Sequence, residues 1–160
     1  MTFVNRPPLV GIAICVYCMW QSINLLYAWT CSPYDRFGWV SFLIWCAPVF
    51  LFWTRQSKIC HISPARPIFL ALGLFFAFHG LAGSIHVLQH IGLALAVAGL
   101  MPSVRLSLLW LFSSLSWMPA LGWLSGRFFP DYVQVVRFSM VIFPAFWMVY
   151  NIYHTPRRQT

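Results

Sequence analysis

PIFLALGLFFAFHGLAGSIHVLQHIGLALAVAGLM, residues 67–101, runs for 35 residues without a charged side chain. How this stretch divides decides the fold. As one straight helix it would be about 52 Å long, against about 30 Å of bilayer hydrocarbon. Gly80, Gly83 and Ser84 supply a turn near its middle, giving two spans at 67–83 and 86–101.

The flanking charges test that division. Four further apolar runs lie at 8–29, 39–53, 106–126 and 138–153, making six in all. With six spans, Arg6, Arg55, Lys58, Arg66, Arg105, Arg157 and Arg158 fall on one side, and only Arg36, Arg127 and Arg137 on the other. Keeping 67–101 as one helix gives a weaker six-to-four split. Basic residues collect on the cytoplasmic side of membrane proteins. The expectation is a single all-α integral membrane domain over 1–160, a bundle of about six transmembrane helices with both termini cytoplasmic. Its expected location is the bacterial cytoplasmic membrane, as a multi-pass protein.

Composition agrees. The chain is 61% hydrophobic and 8% charged, where a soluble domain carries about 25% charged residues. The net charge of +8 comes from residues between the apolar runs, as topology determinants do. No basic stripe with interleaved aromatics is present, so nucleic acid is not an expected partner. The first run lacks a small-residue cleavage site and is long enough to span, so it reads as a retained helix. Trp29, Trp39, Trp53 and Trp123 lie close to span ends, where an aromatic belt belongs.

This topology gathers the polar residues at the external rim: Cys31, Asp35, Arg36, His79, His86, Gln89, His90, Arg127, Asp131 and Arg137. His61 and His154 fall on the opposite side. His86 and His90 are one helical turn apart, a spacing that lets two imidazoles share a metal ion. His79 would be about 10 Å from His86 on an unbroken helix, but in a hairpin it faces His86 or His90 from the neighbouring helix. That geometry would allow a haem between two helices, its axial ligands approaching from opposite faces. His79, His86 and His90 are therefore the candidate cofactor ligands, with His86 and His90 as the metal pair and haem or a transition metal as the group. The competing reading is that these imidazoles hydrogen-bond neighbouring helices or headgroups, since no carboxylate adjoins them.

Cys15 and Cys18 form a CxxC inside the first span. A soft metal such as Cu(I) would suit it, but small polarizable thiols also pack well between helices, and packing is the simpler reading. Gln21 and Asn24 share one helix face, and Ser113, Ser114 and Ser116 interrupt the fifth span. In hydrocarbon such groups must point inward to find partners. Gly92, Ala94, Ala96, Ala98 and Gly99 make the fourth span narrow enough for close approach of a neighbour. Pro48, Pro119 and Pro144 lie inside spans, each able to kink its helix and free a carbonyl near Ile44, Leu115 and Met140. No nucleotide-binding loop, zinc-protease helix or serine-hydrolase elbow occurs.

LQHIGLALAVAGLMPSVRLSLLWL (88–111) resembles the amino-terminal helices of the exosortase and archaeosortase family of membrane transpeptidases, in which an Ala- and Leu-rich helix leads through an Arg-bearing turn to another span. The resemblance covers about a sixth of the chain and is mainly compositional. It implies an outward-facing cysteine nucleophile with an arginine and a histidine, all following those helices. Here no cysteine occurs beyond Cys60, so that catalytic half is missing. Cys31 and Arg36, with His86 or His90, follow the same order on one predicted face, but TCSPYDR precedes the resembling helices and lacks the family's Ser-Gly step. Cys31 as nucleophile, with Arg36 stabilising its thiolate, is the catalytic candidate.

Three functions are thus open. The first is a non-catalytic subunit, assembly or accessory factor acting through other membrane subunits, and it fits best the small size, the near lack of soluble segments and polar groups that read as helix glue. The second is a haem- or metal-binding redox or transport protein using the histidines. The third is an exosortase-like cysteine transpeptidase.

Overall fold

The computed structural model describes residues 9–55, 66–101 and 103–154, with side chains over 9–51, 66–101 and 103–150. Among these the chain is all-helical, with α1 Leu9–Gln21, α2 Asn24–Cys31, α3 Gly38–Arg55, α4 Arg66–Ala82, α5 His86–Ala98, α6 Val104–Ser114, α7 Pro119–Phe128 and α8 Val133–His154. Two short 3-10 turns, Leu115–Trp117 and Pro130–Tyr132, join α6 to α7 and α7 to α8. One stretch, Pro130–Tyr150, is long and apolar enough to cross a membrane. The pairs α1–α2 and α6–α7 meet the same measure if each is taken as one bent span, with bends of 44° and 66°. Gly38–Leu51, α4 and α5 are shorter apolar helices.

The long uncharged stretch does divide, into α4 and α5. Ser84 sits at φ 54°, and the amides of Ser84 and Ile85 reach the carbonyls of Leu81 (3.2 Å) and Gly80 (2.8 Å). This pair of bonds is a Schellman motif, which ends a helix by satisfying its last carbonyls. Past the turn the two helices pack at backbone distance. A Cβ on Gly73 would sit 2.9 Å from the Ala96 amide, and one on Gly92 would sit 2.7 Å from the Ala77 amide. Gly99 is likewise tight against Phe69 and Leu70. Gly92, Ala96 and Gly99, small residues of the fourth run, therefore face α4, as their size suggests. α5 lies at the centre, packed on α1, α4 and α6, and every residue from Gly92 to Gly99 is buried.

The first and fifth spans are each bent, for different reasons, and only the bend at Pro119 is expected from sequence. In the fifth span, Pro119 disfavours helical backbone at the residue before it. Met118 is extended at φ −71°, ψ 134°, and Pro119 opens α7 at its first turn. The helix thus breaks before the proline. In the first span no proline or glycine stands at the bend. There the Ser22 hydroxyl lies 2.9 Å from the Cys18 carbonyl and 3.2 Å from the Gln89 carbonyl of α5. A side chain that competes for its own helix's carbonyl can bend the helix. Pro48 and Pro144, by contrast, lie inside the continuous helices α3 and α8.

The second packing centre is aromatic. α8 packs on α3, α6 and α7, around Trp45, Trp110 and Trp117, all 0–1% exposed. Trp45 stacks on Trp110 with centroids 6.0 Å apart and tilts over Trp117 at 5.4 Å. Phe42 lies edge-on to Trp117 and links it to Trp29. Trp29 is therefore a core residue, 7% exposed, and not part of an interfacial belt. Trp39 and Trp123 are exposed, while the Trp53 side chain lies outside the described residues.

Candidate functional site

Three groupings of polar side chains result from this packing. The deepest sits at the break between α6 and α7. Ending the helix at Trp117 leaves carbonyls that no following helical amide can satisfy. The Trp117 carbonyl accepts from the indole Nε1 of Trp29 at 3.1 Å. The Ser116 carbonyl accepts from Nη1 of Arg137 at 2.8 Å, and Nη2 of the same residue lies 3.4 Å from the Met118 carbonyl. Nη2 also donates to Oδ1 of Asp35 in an ion pair. Arg137 is fully buried and Asp35 is 4% exposed, so both charges lie inside the protein. Gly122 makes room for the pair: a Cβ there would overlap both the Asp35 carboxylate and the guanidinium. Burial pushes the Asp35 carboxyl above the usual carboxylate range, while a hydrogen bond with Ser32 and the charge of Arg137 hold it back.

The second grouping joins the α1–α2 bend to the start of α5. His90 is 4% exposed, and its Nε2 lies 3.0 Å from Oδ1 of Asn24. An amide oxygen only accepts, so this contact calls for the Nε2–H tautomer. The Asn24 amide nitrogen donates to Oε1 of Gln89 at 3.1 Å, and Nδ1 of exposed His86 lies 3.4 Å from that same oxygen. The His90 ring also stands edge-on to Trp117 at 6.4 Å. His79 is separate: its Nδ1 lies 2.9 Å from the Phe75 carbonyl of its own helix, and its ring packs on Phe75 at 3.9 Å.

The three histidines thus have different partners. His86 and His90 share the Gln89–Asn24 network and His79 turns back on α4. Among the described residues no group of three His, Cys, Asp or Glu side chains gathers to hold a metal. In the CxxC, Cys18 is buried with its thiol 3.8 Å from the Gly73 carbonyl, and Cys15 is half-buried. His61 and Cys60 lie outside the described residues, as does the side chain of His154.

The third grouping is an open depression of about 650 Å³ where α2 turns into α3. Leu26, Trp29, Pro33 and Trp39 form apolar walls, with Thr30, Cys31, Ser32 and Arg36 between them. Cys31 and Arg36, the catalytic candidates, are both exposed and do line one concave surface. No imidazole or carboxylate lines it with them.

What sequence reasoning missed was the pairing of Asp35 with Arg137 and the bond from Trp29 to the helix break. The available signal was Pro119, which announces open carbonyls one turn upstream. Comparison of the chain with protein-family models, curated proteins and solved structures finds no match.

Proposed function

We propose that this chain is a multi-pass protein of the bacterial cytoplasmic membrane, with six embedded segments and both termini cytoplasmic, working as a non-catalytic component of a larger membrane assembly. The observation that carries this reading is the direction of its polar groups. Asp35 bonds Arg137, His90 bonds Asn24, Asn24 bonds Gln89, and Trp29 bonds the helix break. Large apolar side chains, meanwhile, cover the outside of α1, α3, α4 and α8 in greater number than they fill the core. In water such a surface is a liability, whereas in lipid inward pairing of polar groups is the requirement. These pairs tie one helix to another, as a scaffold requires, although the Ser41, Ser113 and Ser116 hydroxyls are buried without a hydrogen-bond partner among the described residues.

Short helices fit the same reading. α5 spans about 20 Å, less than the hydrocarbon thickness, but it is surrounded by α1, α4 and α6 and needs no lipid contact of its own.

The test is extraction from native membranes directly into nanodiscs, followed by native mass spectrometry, visible absorbance and metal analysis. A stoichiometric membrane partner in a colourless, metal-free particle is expected. A chain that travels alone with a Soret band or one equivalent of metal overturns the proposal. Orientation is read separately with a membrane-impermeant maleimide on intact cells, where labelling of Cys31 and protection of Cys60 is the expected pattern.

A further inference from the structure

We propose that the depression between α2 and α3 binds one anionic phospholipid, its phosphodiester on the Arg36 guanidinium and its acyl chain along the exposed faces of the two helices. The inference rests on the membrane embedding proposed above.

Charge is the first argument. The chain has only two acidic residues, Asp35 and Asp131. Asp35, the neighbour best placed to neutralise Arg36, is turned inward onto Arg137. Arg36 is exposed, and among the described residues no carboxylate pairs with it. The loop therefore presents one uncompensated cation to its surroundings.

The form of the depression is the second. Its volume of about 650 Å³ lies within the usual range for small-ligand sites, about 300–1,000 Å³, and is ample for a headgroup and its first carbons. Arg36 is its only charged lining residue. The Thr30 hydroxyl already lies 3.0 Å from the Leu26 and Tyr27 carbonyls. The guanidinium is thus the main free donor, and its planar fork matches two oxygens of one phosphate. One cation balances the single charge of a phosphodiester.

The third argument separates a lipid from a free ion. The remaining walls are apolar, and the apolar surface continues beyond them. Ile23, at the N-cap of α2, lies one turn from Leu26, Trp39 and Leu43 share a face of α3, and all four are exposed. Inorganic phosphate would leave these walls uncovered, while an acyl chain covers them. Trp39 at the mouth suits the headgroup level, where indoles concentrate.

Cys31 lies in the same lining and reports occupancy. Cys15, Cys18 and Cys46 are half-buried or buried, and following the Cys31 peptide by mass spectrometry keeps Cys60 apart. The full chain is placed in nanodiscs of phosphatidylcholine, of phosphatidylcholine with phosphatidylglycerol, or of phosphatidylcholine with inorganic phosphate in the buffer. Alkylation of Cys31 by an uncharged maleimide is then timed. Several-fold slowing by phosphatidylglycerol is expected, with most of that slowing lost in Arg36→Gln, partly kept in Arg36→Lys, and none produced by free phosphate. Equal rates in the first two discs overturn the site. So does equal slowing in Arg36→Gln, which is the general effect of a negative surface. Slowing by inorganic phosphate as strong as by the lipid makes this a phosphate site and overturns the lipid assignment. Native mass spectrometry gives a second readout: wild type should retain phosphatidylglycerol over phosphatidylcholine on delipidation, and loss of that preference in Arg36→Gln is the matching result. Release of the wild-type chain from vesicles by alkaline carbonate overturns the embedding itself, whereas retention with an unprotected Cys31 overturns only the lipid site.

Discussion

Removing Arg137 or Asp35 separately should harm the fold more than removing both. Asp35→Asn keeps an amide oxygen within reach but removes the counter-charge, so a guanidinium that is fully buried is left with neutral acceptors alone, that amide and the carbonyls of Ser116 and Met118. Breaking a buried ion pair from one side costs about 3–5 kcal/mol, because the other charge is left uncompensated. Arg137→Met leaves Asp35 inside and also uncovers the Ser116 carbonyl, a buried acceptor worth about 1–3 kcal/mol when orphaned. The double substitution Asp35→Leu with Arg137→Met leaves no charge behind, and only the carbonyl cost of about 1–3 kcal/mol remains. The assay is unfolding of the purified chain in mixed micelles on titration with a denaturing detergent, followed by tryptophan fluorescence. pH supplies an internal check. In Arg137→Met the opposing charge is gone, so burial raises the Asp35 carboxyl further above its unfolded value of about 3.9. Between those two values the folded state binds more protons than the unfolded state, so stability falls as pH rises. The deficit of Arg137→Met should therefore shrink on acidification. Single variants no less stable than the double, or a deficit independent of pH, would refute the reasoning.

Three further outcomes are expected from the same assay. Gly92→Ala places a methyl group 2.7 Å from the Ala77 amide and must push α4 from α5, at about 1–3 kcal/mol; wild-type stability would mean the helices are not in backbone contact. Ser84→Gly removes the strain of a side chain at φ 54° and should gain up to about 1 kcal/mol, so a loss would place the turn elsewhere. Asn24→Leu orphans the buried His90 Nε2 and leaves the Gln89 amide oxygen with only His86, and should cost about 1–3 kcal/mol, while His79→Ala, at an exposed ring, should stay within about 0.5 kcal/mol. A reversal of those two would mean that His79, not His90, holds the structure.

Much of the fold is legible because it is local. The turn at Gly83–Ser84 and the narrow face of α5 follow from residue size and chain length. Each of the six apolar runs becomes one helix or one bent pair. The site is less legible because its contacts are remote. Asp35 and Arg137 stand 102 residues apart, and a topology argument that puts both at one end of the bundle says nothing of which cation takes which anion. The same argument placed His90 near the interface. Its burial comes from Asn24 and Trp117, which reach it only once α2 and the α6–α7 break have packed. The bend at Ser22 had no glycine or proline to announce it, and it depends on a Gln89 carbonyl from another helix.

The distance between Asp35 and Arg137 along the chain has a consequence for how the protein is made. Asp35 leaves the ribosome early and Arg137 late, on the last described helix. Until α8 exists, the acid lacks the Arg137 counter-charge and the Ser116 carbonyl lacks its guanidinium donor, and the break between α6 and α7 is held by the Trp29 bond without the Arg137 ones. A chain interrupted before α8 has its aromatic core but carries an open charge within it. The arrival of α8 is thereby recorded in one guanidinium, and a product that stops before α8 should differ from one that includes it in how readily quality-control proteases find it.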